Sequence, residues 1–187
     1  MGFMLTLVEP LPVKVFAGML WSDRVCFASA LAVMEAAWGE CDVRGEPVPF
    51  TVTDYYVAEM GAGLQRQFVA FETLVNPDAL PTLKLTANRI EADSATAGQR
   101  RVNIDVGYLD YHRVVLASTK EGPFKIYVGQ GIWADMTLHY ASGRFEPFAW
   151  TFQDLRTGAY DGFFRELRRR YKAQVRVPDR AHGKELE

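Results

Sequence analysis

Only two cysteines, Cys26 and Cys41, occur in 187 residues. They fit neither a C-x-x-C redox pair nor a disulfide framework, so buried reduced thiols are expected. No run of about 18 apolar residues is present, which argues against a membrane-spanning helix. Glu9, Pro10 and Pro12 interrupt the one apolar stretch near the start, and no basic segment precedes it. No signal peptide is therefore expected, and a reducing, cytoplasmic setting follows. Neither sign of charge dominates, because 21 Lys and Arg stand against 23 Asp and Glu. Bulk charge thus predicts no nucleic-acid or membrane partner. His112, His139 and His182 are scattered and lack the companions of a zinc site. No G-x-x-x-x-G-K-[ST] segment cradles a phosphate, and Gly61-Ala62-Gly63 is not a dinucleotide fingerprint. Ser118 and Ser142 lie in no nucleophile elbow.

What is present is enough apolar material for a core: 49% of residues are hydrophobic and 13% aromatic. The length predicts one domain, spanning residues 13–175, after an N-terminal extension (1–12) and before a flexible C-terminal tail (176–187). Val13 to Leu20 reads as a strand. Ser22 or Asp23 caps a helix reaching Trp38, with Val25, Ala28, Leu31, Met34 and Trp38 on one face and Gly39 as the stop. A short strand is expected at 49–53, an exposed loop at 53–63 and a strand at 67–74. Asn76-Pro77 signals a second helix, which carries Leu80, Leu83, Ala87 and Ile90. Pro81 kinks its entry or moves its start later, and Gly98 ends it.

The second half is strand-rich, with runs at 101–109, 113–119, 124–128, 132–140 and 144–150 and a turn at Ser142-Gly143. Thr157 caps a closing helix with Tyr160, Phe163, Phe164, Leu167 and Tyr171 on one stripe. The expected fold class is α+β: a ferredoxin-like β-α-β-β-α-β core extended by antiparallel C-terminal strands and a final helix.

The most distinctive segment is Thr53, Asp54, Tyr55, Tyr56, Glu59, Met60, Gly61, Leu64, Arg66, Phe68 and Phe71. It resembles a bacterial family catalogued only as domain of unknown function 4416, whose pattern reads T-x-Y-Y-x-x-E-M-G-x-x-L-x-R-x-F-x-x-F. Further matches are Lys84, Asn88 and Glu91, then Arg101 to Asp105, Gly107 to Leu109, Leu116 to Lys120, Gly131-Ile132 and Thr137-Leu138. The resemblance runs from about Lys14 to Tyr171. Val106 stands where the family has proline, Asp135 where it has glutamate, and Gln153-Asp154-Leu155 replaces a Pro-Asp-Tyr-like stretch. The resemblance implies no established activity, so no catalytic residue is carried over.

The residues themselves suggest two clusters. Alternation puts Asn103 and Asp105 on one face of their strand, and Asp135, Thr137 and His139 on one face of theirs. If those faces coincide, Asp105, Asp135, His139 and Lys120 converge as candidate catalytic groups, with Asn103 and Thr137 beside them. Such a cluster could bind Mg²⁺ and a phosphate group, or act as acid and base. A solvated face of an antiparallel sheet would give the same alternation. The second cluster is Asp54, Tyr55, Tyr56, Glu59 and Arg66, in which tyrosines can stack on a base and arginine can grip a phosphate. Here the alternative is a structural loop with a Glu59–Arg66 ion pair. Arg165, Arg168, Arg169, Arg170 and Lys172 crowd the last helix, where they either favour its C-terminal dipole or form a patch for RNA.

The expectation is thus a small phosphorylated or nucleotide-like ligand, with catalysis open. The alternatives are an RNA- or protein-binding module and a structural interaction protein with Trp133 and Phe148 at its interface.

Overall fold

Strand β1 (Val13–Trp21) is buried along eight of its nine residues, because it carries an apolar side chain to each face at the middle of a sheet. A computed structural model describes residues 7–175. Residues 1–6 and 176–187, including His182 and the expected tail, lie outside the described residues.

Helix α1 (Arg24–Trp38) starts where the Asp23 carboxylate accepts from the Val25 N–H, and ends at Gly39, whose φ is 93°. Its buried face is Phe27, Ala30, Leu31, Met34 and Trp38. Val25 and Ala28, expected on that face, point to solvent. Strand β2 (Cys41–Arg44) and the short β3 (Val48–Pro49) follow. The segment expected to be all loop contains one helical turn, α2 (Val57–Met60), closed by Gly61 at φ 84°. Strand β4 (Gln65–Val75) is buried on both faces from Arg66 to Phe71.

Asn76 caps a 3₁₀ turn (Pro77–Ala79), and Pro81 then sits in the first turn of α3 (Leu80–Asp93), so the helix starts three residues later than Pro77 alone indicates. It stops at Ser94 rather than Gly98, which lies in the turn before β5.

Strands β5 (Val102–Leu109), β6 (Arg113–Ser118), β7 (Lys125–Gly129), β8 (Ile132–Ala141) and β9 (Arg144–Pro147) complete the sheet. The last is shorter than expected. Gln130-Gly131 and Ser142-Gly143 both have positive φ at both residues, the geometry of two-residue hairpin turns. A turn of helix, α4 (Gln153–Arg156), precedes α5 (Asp161–Gln174). Thr157 takes no part in capping α5; its hydroxyl donates to the Asp154 carbonyl.

All strand pairs are antiparallel, in the order β2-β4-β1-β5-β6-β8-β7, with β3 on β4 and β9 on β8. The α+β class is as the sequence predicts. Helices α1 and α3 cover one face, over Val15, Met19, Phe71, Ile104 and Val115. Helix α5 covers part of the other, over Phe16, Phe68, Leu109, Val114 and Leu138. Fourteen helical residues reach only about 21 Å. The rest of that face lies under two chain segments, around residues 50–56 and 150–155, and there the sheet opens.

A candidate ligand cleft where the sheet splits

Strands β5 and β6 pair only from Gly107–Leu116 to Leu109–Val114. Gly107 permits that approach, since a Cβ there would stand 2.2 Å from the Val115 carbonyl oxygen. Beyond this point the strands diverge, and the start of β5 keeps β1 on one side but has no strand on the other. Helix α3 supplies what β6 withholds. Lys84 donates to the Ile104 carbonyl at 2.9 Å, and Glu91 accepts from the Ile104 N–H at 2.7 Å. Both side chains are buried, and their charged ends are 3.9 Å apart.

The opening is a cavity of about 460 Å³ lined by Lys84, Arg100, Asn103, Asp105, Lys125 and Asp135, among others. A second cavity of about 460 Å³ adjoins it, walled by Phe50, Phe68, Leu116 and Phe152 around Arg66. Tyr55, Tyr56, Asp105 and Lys120 line both. One chamber is therefore aromatic and the other charged. Each falls within the size range of small-molecule sites.

Charges in the cleft are mostly paired. Arg66 donates to Asp105 at 2.6 Å, and its Nε lies 3.4 Å from Asp154. Gly18 leaves room for this arrangement, because a Cβ there would meet the Phe68 ring at 2.7 Å and Arg66 at 3.1 Å. Burial pushes the Asp105 carboxyl up, but the charges of Arg66 and Lys84 outweigh it and hold the group below its ordinary value. Arg100 grips Glu59 with two 2.7 Å bonds, holding that carboxylate low, and also reaches Glu91 and the Asn103 side-chain oxygen. Burial pushes Glu91 up despite Lys84 and Arg100.

Besides Arg66 Nε, which has an ion-pair neighbour in Asp154 but no hydrogen bond, two groups are less well served. Asp135 is buried, its Oδ1 has no hydrogen-bond partner, and its Oδ2 is 3.9 Å from Lys125. Burial raises its carboxyl pKa, and Lys125 opposes this only in part. Asn103 Nδ2 is also buried without a hydrogen bond, although the amide stands close enough to Asp105 to favour its ionised form. Lys120 extends over the Tyr55 ring at 5.6 Å.

The expected site residues divide clearly. Asp105, Asp135, Lys120, Asn103, Tyr55, Tyr56 and Arg66 meet at the two chambers. Glu59 stands behind them as the partner of Arg100, so the anticipated Glu59–Arg66 pair does not form. Asp54 lines neither chamber. His139 is elsewhere, for a reason in the strand itself. The register of β6 and β8 shifts between the Val114–Leu138 and Val115–Met136 pairs. That bulge inverts the alternation, so Leu138 rather than His139 shares the face of Asp135. His139 instead packs its ring 4.7 Å from Phe148. Thr137, at the bulge, is wholly buried and donates to the Val114 carbonyl.

Arg100, Lys125 and Phe152 escaped the sequence reading as site residues, and Asp154 entered it only as part of a departure from the family pattern. Lys84 and Glu91 entered it only through the family pattern, yet both fall on the apolar stripe of α3, and polar groups there are a signal of their own. Among the described residues, no three His, Cys, Asp or Glu side chains are grouped to hold a metal ion. No described helix is long and apolar enough to cross a membrane.

A family model described as Domain of unknown function (DUF4416) matches residues 11–171. The chain belongs to this family. The matched span contains every cleft residue named above. No curated protein and no solved structure matches the chain.

Proposed function

We propose that the cleft between β5 and β6 binds a small phosphorylated, nucleotide-like molecule, with a flat group in the aromatic chamber and phosphate oxygens among the lysines. The observation that carries this reading is the pair of buried groups, Asp135 and Asn103, which line a cavity that also holds four cations and each of which has a buried polar atom without a partner. Leaving such an atom unpaired costs about 1–3 kcal/mol, and folding gains nothing from it. A ligand offering a donor to Asp135 and an acceptor to Asn103 would remove that cost. Lys120 and Lys125 can then meet phosphate oxygens, and Tyr55, Tyr56 and Phe152 can flank a ring. If the ligand reacts, Asp135 is the group suited to moving a proton, since burial raises its carboxyl pKa and so favours its holding a proton. Asp105 is committed to Arg66, so any Mg²⁺ would enter with the phosphate and keep several waters.

A thermal-shift screen of nucleotides and sugar phosphates, with and without Mg²⁺, tests this. The expected result is stabilisation by at least one phosphorylated compound. No shift for any compound at millimolar concentration counts against it.

One observation favours a second reading, an RNA-binding surface. Arg165, Arg168, Arg169 and Lys172 follow helical spacing along one stripe of α5, and line a groove of about 400 Å³ with Tyr140 and Arg144. The Arg168 guanidinium stacks 3.5 Å from the Tyr140 ring, which fixes it in place. Binding of a short RNA across a salt series tests this reading, and an affinity independent of salt contradicts it.

We also infer that the first half of the chain is ferredoxin-like. The antiparallel order β2-β4-β1-β5, with α1 and α3 on one face, supports this. A cytoplasmic setting is in keeping with the free thiols of Cys26 and Cys41.

A further inference from the structure

Strand β7 ends the path of the sheet, and its outer side meets no strand among the described residues. Open edges of this kind are usually guarded by charge or proline. Here Ile126, Tyr127 and Val128 are 72%, 56% and 38% exposed in succession. The one charge in the strand, Lys125, turns back to Ser118 and Asp135 on the neighbouring chain segments. Exposed Phe124, Met136 and Trp150 extend the apolar patch, with Phe124 and Trp150 stacked at 4.5 Å. A contiguous apolar surface beside an unguarded edge marks a site of association.

We propose that β7 pairs antiparallel with β7 of a second copy, about a two-fold axis at Tyr127, so that two sheets become one. The sequence of the strand selects this occupant. With Tyr127 opposite its own copy, Ile126 falls opposite Val128 and Lys125 opposite Gly129. Apolar side chains then face apolar ones, and the only charge avoids itself. Antiparallel self-pairing is also the arrangement that a two-fold axis demands. Five strand residues and a few flanking rings make a small interface, so the dimer forms in a concentration-dependent way. The pairing does not depend on what the cleft binds, although Lys125 lies in both the strand and the cleft wall.

Sedimentation velocity from about 1 to about 200 µM protein tests the proposal. The wild-type protein is expected to pass from the monomer mass to twice that mass. Ile126→Lys with Val128→Lys places like charges opposite each other twice and is expected to stay monomeric. Ile126→Lys with Val128→Glu places Lys opposite Glu twice in this register, and is expected to dimerise again, less so at high salt. Both positions of substitution are exposed in the monomer, and unchanged thermal melting at the lowest concentration verifies the fold. A wild-type protein that stays monomeric throughout overturns the proposal. So does a Lys/Lys variant that still dimerises, or a Lys/Glu variant that does not.

Discussion

Replacing Lys84 by Met tests whether helix α3 completes the open edge of β5. The Lys84 ammonium donates one 2.9 Å hydrogen bond to the Ile104 carbonyl, and the side chain is buried. A hydrogen bond from a charged donor contributes about 1.5–3 kcal/mol, and methionine leaves the carbonyl without a partner while keeping most of the packed stem. Glu91 also loses a cation at 3.9 Å, but keeps Arg100 at 3.2 Å and the Ile104 N–H at 2.7 Å. That retained partner holds the total below the usual cost of breaking a buried pair. The expected loss is about 2–4 kcal/mol, or roughly 4–16 °C in Tm for a chain of this length. Urea unfolding of the ligand-free protein measures it. Glu91→Gln keeps an oxygen for the Ile104 N–H and is expected to cost less. A loss under about 0.5 kcal/mol for Lys84→Met would refute the reasoning. It would mean that the split edge needs no support from α3.

Three other perturbations follow from the same geometry. Asp135 is held above its ordinary pKa by burial, so the fold binds its proton more tightly than the unfolded chain does. Its contribution to stability therefore falls as pH rises through the window between the unfolded and the raised folded value. Asp135→Asn is expected to raise stability by about 1 kcal/mol at neutral pH, with the gain vanishing in acid, as read by thermal melts at both pH values. Asp105 has the opposite sign: its lowered pKa gives stability that is present above the unfolded value and lost as pH falls through the folded one. Arg66→Met strands Asp105 and Asp154 beside each other and is expected to cost about 3–5 kcal/mol at neutral pH, and less in acid, by denaturant titration. Gly107→Ala forces a Cβ onto the Val115 carbonyl oxygen and is expected to cost about 1–3 kcal/mol or to part β5 from β6, which amide hydrogen exchange on both strands would reveal.

The fold was largely legible because its elements carry local signals. Asp23 and Gly39 bracket α1, Asn76 announces the entry to α3, and the stripe from Tyr160 to Tyr171 fixes the buried side of α5. What failed was where periodicity meets an irregularity. The face of α1 was rotated, because Phe27 and Ala30 compete with Val25 and Ala28 for the core and only packing against the sheet decides. One extra residue at Thr137 removed His139 from the candidate site, and no local signal marks that bulge.

The cleft was half legible. Asp105, Asp135 and Asn103 come together as alternation implied, because β5, β6 and β8 share a face up to the bulge, and Lys120 joins them from the segment after β6. The role of Lys84 and Glu91 could not be read from their helix alone. It arises from the divergence of β5 and β6, a property of two strands that follow α3 rather than of the helix itself. Arg100, in the turn between α3 and β5, shows its partners only once Glu59 has been brought beside it.

The most direct test of the cleft as a ligand site is calorimetric titration of the best phosphorylated compound into three proteins: wild type, Lys125→Ala and Arg165→Ala. Lys125 lines the charged chamber, whereas Arg165 lies in the separate groove on α5. The account expects Lys125→Ala to weaken binding about tenfold or more, a loss of about 1.4 kcal/mol, and Arg165→Ala to leave it unchanged. Equal affinity for wild type and Lys125→Ala, or a loss confined to Arg165→Ala, would contradict it.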